Sequence, residues 1–114
     1  MRQSLAVVAL LAGACEPGWS VQGQVRDVGF AGVRGADVAL SCPGQQDLAA
    51  TTDQSGAFQL RGRGPGPALD CAIVVAAPAF VRSRFPLAQA CEDAREDLPR
   101  RCEVALVNAV LSRR

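Results

Sequence analysis

The chain has 114 residues, a length that suits one domain and leaves no room for a second sizeable core. Its 12 cationic side chains are all Arg and stand against 11 Asp and Glu for a net charge of +1, while His, Lys and Tyr are absent. That composition removes Ser-His and Cys-His nucleophile pairs, imidazole metal ligands, Schiff-base amines and a Walker-type Lys, and its near-neutral balance creates no field to gather nucleic acid.

Met1-Arg2-Gln3 is a short positive start, Ser4 to Leu11 is almost wholly apolar, and Ala12-Gly13-Ala14 is a run of small residues closed by Cys15. This order reads as a secretory signal, since the apolar stretch falls short of the roughly 20 residues that a membrane-spanning helix needs. Leu11-Ala12-Gly13-Ala14-Cys15 resembles the lipobox of bacterial lipoproteins. That resemblance implies removal of residues 1–14, lipidation (palmitate) of Cys15 and attachment through acyl chains. Ala12-Gly13-Ala14 also reads as an ordinary A-x-A cleavage site. The domain division expected is 1–14 signal peptide, 15–19 tether and 20–114 folded domain.

From Trp19 onward the periodicity is two. Val21, Gly23 and Val25 alternate with Gln22, Gln24 and Arg26, and Ala36, Val38 and Leu40 alternate with Asp37, Ala39 and Ser41. A weaker strand is expected near Leu48 to Thr52, followed by one holding Phe58 and Leu60 and an apolar, central one through Cys71, Ile73 and Val75. Val81, Ser83 and Phe85 oppose Arg82 and Arg84 on a further strand. Cys102 to Val110 completes the set, with Val104, Leu106 and Val110 expected on one side. Gly, Pro, Asp and Ser punctuate these segments, and Asp53-Gln54-Ser55-Gly56 fits a type I turn. Seven short strands so spaced predict an all-β, single Greek-key β-sandwich.

Gly23-x-Val25-x-Asp27, then Gly32 to Ala36, Thr52-Asp53-x-x-Gly56-x-Phe58-x-Leu60 and Ile73-x-Val75-x-Ala77 resemble the carboxypeptidase regulatory-like domains. The resemblance implies a transthyretin-like (prealbumin-like) sandwich over residues 20–111, with support, adhesion or presentation as its work and no catalytic residues to carry over.

Cys42, Cys71, Cys91 and Cys102 make an even set in a chain read as exported, so disulfides are expected. Cys42 shares a strand face with Val38 and Leu40, and Cys71 with Ile73 and Val75, which predicts a Cys42–Cys71 bridge across the core. Cys91 and Cys102 bracket a polar loop that a second bridge would close. With no C-x-x-C knuckle and no His, neither a metal site nor a cofactor is expected. Glu92, Asp93, Glu96, Asp97, Arg100 and Arg101 in that loop, with Arg82 and Arg84 on their strand face, form the expected contact surface. Trp19 reads as a plug at the open end of the sandwich.

The function these readings imply is a non-enzymatic, membrane-anchored envelope lipoprotein, an interaction or structural module held to the outer membrane in preference to the inner one by lipid on Cys15. Its partner would be an envelope protein or a glycan, and not nucleic acid. The alternative is a carbohydrate-binding module of starch-binding-like architecture. A hydroxyisourate hydrolase related to transthyretin is opposed by the lack of His and of a Tyr-Arg-Gly-Ser ending.

Overall fold

A computed structural model describes residues 18–95 and 100–114, and Cys15, Glu96 and Asp97 lie outside those residues. Eight strands and one short helix follow in order: β1 Gly18–Asp27, β2 Asp37–Ser41, β3 Leu48–Thr51, β4 Ala57–Arg63, β5 Ala72–Ala76, β6 Ser83–Pro86, α1 Leu87–Ala90, β7 Cys91–Arg95 and β8 Arg101–Leu111. They form two open four-stranded sheets of order β4-β1-β8-β7 and β3-β2-β5-β6. The expected seven-stranded transthyretin-like sandwich is therefore corrected to two four-stranded sheets. At the centre of the first sheet β1 and β8 run parallel, from Ser20 beside Val104 to Asp27 beside Leu111.

The inward alternation forms the core. Val21 and Val25 of β1, Val38 and Leu40 of β2, Phe58 and Leu60 of β4 and Ile73 and Val75 of β5 are all buried. β1, β2 and β4 thus hide one apolar face against the opposite sheet while their other face is more exposed, and the central β5 is buried on both faces. Thr52, the buried polar residue of the described set, donates from Oγ1 to the Val33 carbonyl at 2.6 Å and accepts from the Ala36 N–H at 2.8 Å. Those bonds fasten the loop before β2 to the end of β3 and leave the hydroxyl satisfied.

Two local expectations change, and the side of β8 that groups Val104, Leu106 and Val110 is the one away from the core. In β8 the inward residues are Cys102, Ala105, Val107, Ala109 and Leu111, whereas Leu106 and Val110 are 44% and 54% exposed. Both faces of that segment carry aliphatic residues, so periodicity could not choose between them; Val107 and Leu111 pack inward with two alanines, while Leu106 and Val110 face outward. The segment from Glu92, read as a loop, holds an edge strand, β7, paired with β8 through two register shifts around Asp93. Four of its five residues are exposed, so it has no buried face and shows no alternation. Val81 does not belong to β6: its N–H donates to the Ser112 carbonyl, tying it to the C-terminal tail, where the Arg113 guanidinium sits 4.8 Å from the centre of the Phe80 ring.

Candidate functional site

At the end of the sandwich where β1 starts, the two sheets part around a cleft of about 450 Å³, within the ~300–1,000 Å³ usual for small-molecule sites. Trp19 forms part of the wall, with Leu40, Pro43, Leu48, Pro65 and Pro67 as further apolar lining and Gln45, Gln46, Asp70 and Arg101 as polar groups. A larger depression of about 580 Å³ lies over Gln22, Gln24, Gln59 and Leu106, but it is a shallow area on the outer face of the first sheet.

Sequence neighbours explain how the wall is made. Trp19 on β1 is directly opposite Gly62 on β4, and any Cβ at Gly62 would fall 2.3 Å from the indole. The missing side chain is what lets the indole lie against the β4 backbone, half-buried and lining the cleft. Facing it, residues 66–69 run alongside the start of β8: Cys102 N–H donates to the Pro67 carbonyl at 2.9 Å, Leu69 N–H to the Arg100 carbonyl at 3.2 Å, and Ala68 bridges Arg101. This close approach needs Gly66, since a Cβ there would stand 1.8 Å from the Cys102 carbonyl oxygen. The Gly66 carbonyl in turn accepts from Arg101 Nη1 at 3.1 Å, which orients the guanidinium.

The remaining wall is a disulfide. Ser41 pairs with Ala72 across β2 and β5, and Cys42 and Cys71 take the next opposed positions, 4.3 Å apart at Cα and bonded through sulfur. That spacing is close to the ~4.5 Å of a non-hydrogen-bonded antiparallel pair, so the bridge fits the sheet without bending it. A second bond joins Cys91 to Cys102 across β7 and β8.

Elsewhere, Asp53 closes the turn that carries the chain from the second sheet into the first. Its carboxylate accepts from the Ser55 hydroxyl at 2.8 Å, the Ala57 N–H at 3.0 Å and the Ser55 N–H at 2.9 Å, and these bonds hold its pKa below the ordinary 3.8. Arg95 pairs with Glu103 at 3.3 Å on the surface.

Of the expected contact surface, Arg82, Arg84, Glu92, Asp93, Arg100 and Arg101 are among the described residues. Arg84 lies on β6 with Arg82 just before it, and Glu92 and Asp93 lie on β7, strands joined by α1 on one flank. Arg100 is exposed, whereas Arg101 is half-buried and belongs to the cleft. Sequence reasoning missed Leu40, Pro43, Leu48 and Pro67 as cleft residues. The signal was available, because facing Cys42 and Cys71 across the core brings their adjoining loops to the end that holds Trp19.

No protein-family model matches the sequence, and none of the curated proteins does. The fold is that of ring-cleavage dioxygenase structures. Hydroxyquinol 1,2-dioxygenase from Pseudomonas putida DLL-E4 superposes with a TM-score of 0.62 at 14% identity, over 87% of this chain and 57% of that one. 3-Chlorocatechol 1,2-dioxygenase from Rhodococcus opacus 1CP gives 0.59 at 13% identity, over 87% and 61%. Catechol 1,2-dioxygenase from Acinetobacter sp. ADP1 inhibited by bound mercury gives 0.57 at 12% identity, over 87% and 53%. The chain thus spans a little over half the length of these enzymes, and at such identities the likeness establishes a shared fold.

This finding corrects the family and functional expectations together. The carboxypeptidase regulatory-like and transthyretin-like assignment gives way to the dioxygenase fold. The reading as a non-enzymatic adhesion or structural module, and its starch-binding alternative, lose the resemblance on which they stood, since the structures sharing this fold are catalytic. The outer-membrane lipoprotein, with partners reached through lipid on Cys15, is withdrawn with them. Among the described residues no helix is long and apolar enough to cross a membrane.

Dioxygen chemistry calls for a redox-active centre, and the residues described do not fit a metal-borne one. The sequence holds neither His nor Tyr, the described cysteines are bonded in pairs, and among the described residues no three carboxylate or thiol side chains converge. No oxidative step is derived for this chain.

Proposed function

We propose that this domain binds a compact, ring-bearing small molecule in the cleft between Trp19 and Arg101. The observation that carries the reading is the seating of Trp19: an aromatic ring fixed against Gly62, in a cleft that sets proline, leucine and a disulfide beside the polar groups Gln45, Gln46, Asp70 and Arg101. Such a wall favours a flat apolar ring, because stacking on an indole adds about 0.5–1.5 kcal/mol to the area buried. The fold supports it by analogy, since the three dioxygenases are named for ring compounds.

The experiment is a titration of the full chain with benzamide and with benzoate. Trp19 is the single Trp and there is no Tyr, so emission excited at the red edge of the indole band reports this cleft alone. A saturable change with at least one ligand is expected, with the affinity, measured by calorimetry, lost in Trp19→Ala. Absence of saturable binding of either compound would refute the reading.

A further inference from the structure

We infer that the ligand is a monoanion whose carboxylate is held by Arg101; this rests on the cleft being the ligand site. Arg101 is anchored before any ligand arrives. Its backbone is held between β7, where it pairs with Arg95, and the strand-like residue Ala68, and its Nη1 donates to the Gly66 carbonyl at 3.1 Å. One donor is thus used for orientation and the rest of the planar fork is left for another acceptor. Holding an Arg side chain this way removes much of the rotamer entropy that recognition would otherwise cost.

No carboxylate of the described residues forms an ion pair with Arg101. Arg101 is half-buried and lines the same cleft as Leu40, Pro43 and Pro67, and a charge there meets a lower effective dielectric than one in bulk water, which strengthens its pull on an anion. Carboxylate matches the fork in shape and can accept two parallel N–H bonds.

Asp70 sets the limit on ligand charge. It is exposed and lines the same cleft, so it repels an incoming anion, though solvent screens that repulsion. A single negative charge close to Arg101 outweighs one screened like charge at the exposed side. A phosphate dianion doubles the attraction to Arg101 and the repulsion from Asp70 alike, but it has no flat ring for Trp19 and carries a hydration shell that the apolar lining does not replace, so a ring carboxylate is the class that fits Trp19 and Arg101 together.

Benzoate and benzamide differ in charge while sharing a ring, and calorimetry on the full chain at low salt compares them. Benzoate should bind at least tenfold more tightly than benzamide, and its affinity alone should fall as sodium chloride is raised. Arg101→Gln should weaken benzoate at least tenfold and leave benzamide within twofold. Asp70→Asn, at an exposed position, should tighten benzoate about twofold, which keeps a variant in hand should Arg101→Gln fail to fold. Equal binding of the two ligands, or benzoate binding indifferent to salt and to Asp70→Asn, would overturn the carboxylate assignment while leaving the ring site standing. Binding of neither would overturn both.

Discussion

Replacing Gly62 by valine would drive a branched side chain into the indole of Trp19, since even a Cβ there stands 2.3 Å from the ring. Overpacking of this kind costs about 1–3 kcal/mol. Urea unfolding of Gly62→Val should show that loss, and the Trp19 emission maximum should move to the red as the ring leaves its seat. Unchanged emission would mean that Gly62 does not hold the indole. Asp53 tests a different residue-level claim. Its folded pKa lies below 3.8, so its contribution to stability is fully present above that unfolded value and is lost as pH falls through the folded one. Asp53→Ala should therefore lower the midpoint of urea unfolding at pH 7 and show a much smaller difference from wild type near pH 2, while an equal deficit at both would contradict the account. This turn was legible in the sequence because Asp-x-Ser-Gly chemistry is local. The seat of Trp19 was not, because it depends on Gly62 lying across a strand pair 43 residues away in the chain.

Among the elements, β8 separates what alternation can and cannot show. Val21, Val38, Leu40 and Phe58 were readable as core because polar or small neighbours mark the opposite face of their strands, and Ile73 because it sits in a continuous apolar run buried on both faces. In β8 the outward face carries Leu106 and Val110, so the pattern fits either parity and only the pairing with β1 decides. Val107→Ala should cost about 2 kcal/mol in unfolding free energy, from lost methyl burial and the cavity it leaves, whereas Leu106→Gln should stay within about 0.5 kcal/mol. The opposite ranking would restore the other register. The cystine bridges give a second comparison at this scale. Non-reducing peptide maps should contain a Cys42–Cys71 and a Cys91–Cys102 peptide, and a Cys42–Cys102 peptide would refute the arrangement. The first bridge closes a separation of 29 residues and the second one of 11. Chain entropy makes the longer closure about 0.8 kcal/mol more stabilising, so Cys42→Ala with Cys71→Ala should lower the unfolding midpoint further than the matching pair at Cys91 and Cys102.

At the scale of the whole molecule, the all-β class and the two-layer arrangement were legible, because period-two patterning and turn residues are written along the chain. The particular fold was not. Thr52-Asp53-x-x-Gly56-x-Phe58 records a tight passage from β3 to β4, and turn chemistry of that kind serves any sandwich in which the chain changes sheets there. The parallel pairing of β1 with β8 joins segments at opposite ends of the described chain and has no local signature, and the exposed edge strand β7 carries no alternation to mark it. The cleft follows from the same topology, since it is the end where β1 and β8 begin and where the β2–β3 and β4–β5 loops return. The most direct test of the account is a ¹⁵N–¹H correlation spectrum of the full chain titrated with benzoate. Saturable shifts should gather at the Trp19 indole N–H and at the backbone of Gly66, Ala68, Asp70 and Arg101, with Gly29, Gly32 and Gly35 at the opposite end unmoved. A spectrum unchanged to saturating benzoate, or one whose shifts centre on the Gly29 to Gly35 loop, would contradict it.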